Sequence, residues 1–259
     1  MERIIFAPLL AVSCMVGMLL MLEIGRRTGR RQIARDPEKA MAGVGVIDGA
    51  LFALFGLLIA FTFSGAASRW DSRRQLIAEE ANDIGTAYLR LDLLPADAQP
   101  ALRELFRNYL DSRLAIYRKL PDIAAAKAEV ARSEGFQREI WDRAVAATRK
   151  PDAHVDAAKL LLPSLNSMID IATTRNMAAI IHPPLVVYAL LFALALGCSL
   201  LAGYGMAEEK YRNWVHILAF AVLVSVSLYV ILDIEYPRAG LLRLDTYDWI
   251  LARVRESMK

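Results

Sequence analysis

The stretch AGVGVIDGALFALFGLLIAFTFSGAAS, from Ala42 to Ser68, holds a single charged residue, Asp48. A helix of that length crosses the ~30 Å of a bilayer's hydrocarbon with some tilt. Small residues recur along it at Gly45, Gly49, Ala53, Gly56, Ala60, Ser64 and Ala67, in steps of four, four, three, four, four and three. That spacing keeps them on one helix face, where a second backbone can come close, as in G-x-x-x-G packing. Two partners suit such a face: the chain's own spans, or further copies of the chain around a central axis.

Outward from this stretch the pattern repeats. Ile4 to Leu22 carries no charge and ends at Glu23, Arg26, Arg27, Arg30 and Arg31, a stop-transfer pattern with no small-residue cleavage site after it. Ile181 to Met206 is uncharged, and Trp214 to Leu232 is bracketed by Tyr211 and Tyr236, rings that prefer the headgroup level. Ala207 to Asn213 joins these two spans as an antiparallel pair. Between them and Ser68, apolar Leu102, Leu105, Phe106, Tyr109 and Leu110 recur at helical spacing, and Pro95, Pro121 and Pro151 punctuate the segment. Pro151 before Asp152 suits a first turn. No glycine or proline falls between Gly65 and Gly85, so span and insert can share one rod, about 75 Å long for ~50 residues. The expected fold is an all-α membrane protein, one domain over 1–259. Its four transmembrane helices lie at about 4–22, 42–68, 181–206 and 214–232, with a water-facing insert of about four helices at 69–177 and no β structure.

Composition agrees: 56% of residues are apolar, 23% are charged, and almost all charges lie outside the four spans. A net charge of +3 with acids and bases interleaved offers no stripe for nucleic acid. Cys14 and Cys198 both fall in apolar spans, and His154, His182 and His216 stand singly, His182 just before Pro183 and Pro184 as an interfacial helix-start residue. Neither set has metal-ligand spacing. Without a phosphate loop or a nucleophile elbow, the expectation is a pore or a scaffold, not an enzyme, with no cofactor and no metal.

Three groups of charge stand out. Asp48, inside a span, is either a functional acid or a residue at interface depth that caps the helix or pairs with a loop arginine. Arg69, Arg73 and Arg74 are snorkelling anchors or, in a pore, a ring of charge at the mouth. Glu79, Glu80 and Asp83 read as a solvated helix face, since positions 79 and 80 point about 100° apart.

The run F-x-x-S-x-A-x-x-R-W-x-x-x-R from Phe61 to Arg74, and Ile234, Glu235, Pro237, Leu242 and Asp245 after the last span, resemble segments of bacterial bestrophins. More closely, the chain is similar to a bacterial bestrophin-like family of unknown function. It shares that family's G-rich second span, its E-E-A-N-x-I-G-T-A-Y-L-R phrase, carrying Glu79, Glu80 and Asn82, and its D-x-x-x-P close, Asp233 to Pro237. The resemblance implies a multi-pass protein of the bacterial inner membrane and a homopentameric channel for small ions, anions first. Phe61 then falls at the neck, with Leu57 and Ala53 one and two turns deeper. Ala53 is smaller than bestrophin necks carry. Six basic residues between Glu23 and Ala40 place that loop inside by the positive-inside rule, whereas bestrophin topology places the insert inside. A scaffold whose insert recruits a partner protein is the competing expectation.

Overall fold

The structure, a computed structural model, describes residues 2–36, 44–119, 122–237 and 240–258. Lys39, Ala40, Ala42 and Pro121, which the sequence reading used, lie outside them, as does Arg238, a basic residue on the side of the insert. The described elements are all helical: α1 Glu2–Arg35, α2 Val44–Leu89, α3 Gln99–Arg118, α4 Ile123–Thr148, α5 Ala157–Ile180, α6 Leu185–Gly205, α7 Trp214–Glu235 and α8 Trp249–Ser257, with 3-10 turns at Arg90–Leu93 and Leu244–Tyr247. Four helical stretches are long and apolar enough to cross a membrane, and each overlaps one of the four expected spans. The α2 helix is a single rod of 46 residues through both Gly65 and Gly85.

Several boundaries move. Residues Glu23 to Arg35 are helix, not loop, because Arg, Gln and Ile propagate a helix already nucleated by the span. The third span starts at Leu185, since Pro183 and Pro184 donate no N–H and hold the preceding residues extended. Pro151 lies in a turn six residues before α5 and does not start it. Asp122 caps α4 by accepting from the Ala125 N–H at 3.0 Å, and Asn213 caps α7 by accepting from the His216 N–H at 3.4 Å.

The chain forms two units. The first, residues 1–69 and 182–241, holds α1, the first half of α2, α6 and α7. Its core joins Cys14 and Met18 of α1, Phe55 of α2, Leu191, Ala195 and Cys198 of α6, and Ala221 and Leu228 of α7. Backbone packing is tightest between α1 and α6, then between α1 and α7, so the two helices joined by the short loop each lean more closely on α1 than on each other. Glycines set that distance. A Cβ on Gly25 would lie 1.9 Å from the Leu200 carbonyl oxygen, and one on Gly203 would lie 2.1 Å from that of Leu22.

The second unit, residues 70–181 and 242–259, packs the end of α2 with α3, α4 and α5 around Ile84, Leu91, Leu102, Phe106, Tyr109, Leu161 and Leu165. It also takes in α8, whose Leu251 is fully buried. That return of the C-terminal segment was not foreseen, because nine residues, three of them charged, are too short to carry a strong periodic signal.

Candidate functional site

The span half of α2 packs along one edge only. Phe55 and Ala66 are buried, and Phe52 meets Phe220 of α7 edge to face at 5.8 Å. The small-residue face points the other way: Gly45, Gly49, Ala53, Gly56, Ala60 and Ser64 are all exposed. A Cβ added at Gly45, Gly49 or Gly56 would meet nothing within 4 Å, so the chain's own spans leave this face open. Beside the small residues run Leu54, Leu57 and Phe61, exposed by 45, 51 and 66%. All three neck candidates, Ala53, Leu57 and Phe61, belong to the open side. A groove of about 350 Å³ opens next to it, between Gly56, Ala60 and Phe63 of α2 and Val226, Val230 and Ile231 of α7.

The arginines after the span are each committed. Arg69 grips Glu235 with Nε and Nη2, at 2.9 and 2.8 Å from the same carboxylate oxygen. Glu235 is fully buried, and its other oxygen lies 3.1 Å from Nδ1 of His182, whose ring rests on Tyr236 at 4.5 Å. Arg69 therefore acts with a matched counter-charge and not as bare charge at a mouth. Arg73, buried, donates to the carbonyls of Ala178 and Ile181, both at 3.0 Å, and so satisfies the C-terminal end of α5. Arg74 pairs with Asp71 at 3.1 Å and donates to the Tyr247 hydroxyl at 3.3 Å. His182 is thus a partner in an ion cluster, beyond the helix-start role read from its prolines.

Glu80 corrects the solvated-face reading. It is fully buried and accepts from Arg113 Nε and Arg175 Nη1, 33 and 95 positions along the chain. Arg175 also reaches Asp248 at 3.3 Å and lies over the Tyr117 ring at 4.4 Å, and Arg113 donates to Asn176 at 3.2 Å. Burial works to lower the pKa of Arg113, but the Glu80 carboxylate together with the Tyr117 and Tyr109 hydroxyls outweighs this and leaves it above the ordinary guanidinium value. Glu79 and Asn82, from the same phrase, are exposed. The 100° step sends one carboxylate to water and the next into a charge hub joining α2, α3, α5 and, through Asp248, the start of α8.

Asp233 holds the chain's exit from α7: it accepts from the Leu241 N–H at 3.0 Å and from the Tyr229 hydroxyl at 3.1 Å. A Cβ on Gly240 would overlap that carboxylate, which explains the glycine there. Pro237 follows in the turn, ending the helix. Asp48 lies one turn inside α2, partly buried, with its carboxylate 3.8 Å from where a Cβ of Gly205 would stand. Cys14 and Cys198 are free and buried in the span core. Among the described residues no group of three or more His, Cys, Asp or Glu converges as metal ligands do.

Compared with known proteins, the chain matches a family model described as Bestrophin-like domain over residues 12–246. A crystal structure of a bacterial bestrophin homolog from Klebsiella pneumoniae carrying a point mutation superposes with a TM-score of 0.71, at 13% identity, over 94% of this chain and 98% of that one. A second crystal structure, of a differently mutated bacterial bestrophin homolog from the same organism, gives 0.70 at 12% identity over 96% of each chain. At such identity the likeness is one of fold. No curated protein sequence matches the chain.

Proposed function

Because this chain belongs to the Bestrophin-like family, we propose that copies of it close into a ring in a bacterial inner membrane, with α2 of each copy facing a central path for small ions. The observation that carries this reading is the open face of α2, where three glycines and Leu54, Leu57 and Phe61 are left uncovered by the chain itself. A small-residue face suits close helix contact between copies, and bulky apolar side chains beside it suit a dewetting constriction. Five copies, and anions as the permeant class, come from the resemblance to bestrophin channels. The Arg69 charge adds little to anion preference because Glu235 matches it.

Phe61 is the proposed constriction. Phe61→Ala should raise ion flux in reconstituted liposomes and leave the melting temperature near that of wild type, since the ring is 66% exposed in the protomer. A ring buried against other spans would instead cost roughly 3–5 kcal/mol and open no path. If wild type and variant form rings yet are both silent to chloride, sodium and potassium, the protein is a scaffold whose insert binds a partner.

A further inference from the structure

We infer that the arginines at the junction of α1 with the α6–α7 loop form a binding site for the phosphate headgroup of an anionic phospholipid. The glycine seam brings the end of α1 against this loop. Arg26 Nη2 donates to the Glu209 carbonyl at 2.7 Å, and Arg30 donates to the same carbonyl at 3.3 Å and to that of Ala207 at 3.4 Å. Arg212 closes the group from the loop side through Glu23 at 2.8 Å. Arg26 thus lies within electrostatic reach of two further guanidiniums.

Acceptors are in short supply there. Across residues 23–31 and 208–212 six cations face three acids, and Glu23 is shared between Arg27 and Arg212. Arg26 is 6% exposed, and its Nε is buried without an acceptor. A buried donor without a partner is costly, and like charges held together repel, so the arrangement gains from a ligand that brings negative oxygens. A phosphodiester offers two of them, in the geometry that a guanidinium fork reads.

Position names the source of that phosphate. The group lies where the uncharged stretch of α1 ends and that of α7 begins, beside exposed Tyr211 and Trp214, with Arg212 over the Trp214 ring at 5.5 Å. Aromatic rings at such a boundary sit at headgroup depth. A lipid with a net negative headgroup meets the excess cation there, whereas a zwitterionic one brings its own ammonium.

The test uses the full purified chain. Native mass spectrometry would count retained phosphatidylglycerol against phosphatidylcholine, and thermal unfolding would compare phosphatidylglycerol micelles with inorganic phosphate. Wild type should retain phosphatidylglycerol in preference and be stabilised by it but not by inorganic phosphate. Arg30→Gln with Arg212→Gln should weaken retention roughly fivefold per guanidinium removed. Arg138→Gln, an exposed arginine on α4, should leave it unchanged. Equal retention of both lipids by wild type overturns the site whatever the variants do. Stabilisation by inorganic phosphate equal to that by lipid overturns the lipid assignment, and a folded double variant with unchanged retention overturns the residues.

Discussion

The two halves of α2 are built from one helix and do opposite things. From Ile77 to Leu91 the chain buries Ile77, Ala81, Ile84, Ala87 and Leu91 almost completely, and even a carboxylate, Glu80, goes inside with two arginines. From Gly45 to Ser64 only Phe55 is buried to that degree, and a whole face of glycine, alanine and serine is left open. In water an open apolar face is a liability; in a bilayer it is free to wait for another helix. The difference separates what the protomer needs in order to fold from what, in the proposed ring, it leaves for assembly.

The sharpest way to break this comparison is at the buried half. Glu80→Ala leaves Arg113 and Arg175 buried without their shared acceptor, and losing one partner of a buried pair costs about 3–5 kcal/mol. The variant should show a large drop in melting temperature in detergent. Glu79→Ala, one residue away and exposed, should change stability by no more than about 0.5 kcal/mol. If the two variants melt alike, the hub does not hold the unit together.

The hub shows where sequence reading stopped. The four spans were legible because hydrocarbon excludes charge, and Asp48 aside, charge is absent from them. The step from Glu79 to Glu80 was legible as a change of direction, but which side was the interior depended on Arg113 and Arg175, far along the chain. Their own local patterns, R-N-Y-L-D-S-R and T-T-R-N, look like surface helix. Glycine misled in the opposite way. The regular G-x-x-x-G face of α2 stays open, while Gly25 and Gly29, spaced by four within G-R-R-T-G, make close contact with α6. Arginines around that pair marked the end of a span and concealed a packing motif.

A second test sets that closed seam against the open face. Gly203→Ala would place a methyl 2.1 Å from the Leu22 carbonyl oxygen, backbone against which no rotamer can yield, so α1 and α6 must move apart. Overpacking of this kind costs about 1–3 kcal/mol. Gly56→Ala adds the same methyl where nothing lies within 4 Å and should melt as wild type does. A Gly203→Ala protein as stable as wild type would mean that the seam opens without cost.

The smallest expected change in protomer stability is the one that speaks most to assembly. Gly49→Leu and Gly56→Leu put a large side chain on a face with open space around both positions, so each protomer should keep its melting temperature within about 0.5 kcal/mol of wild type. A neighbouring copy, if it packs there, would be held off by the added side chain, and helix contacts that depend on small residues lose their close approach. Purified protein sized in detergent should then shift from the oligomer to the protomer for both variants, with folding intact. The pairing of the two readouts matters: loss of oligomer together with loss of stability would point to damage inside the protomer. An unchanged oligomer peak for both leucine variants would assign the open face to lipid and move the subunit contact elsewhere, with Leu54, Leu57 and Phe61 then facing acyl chains instead of a path for ions.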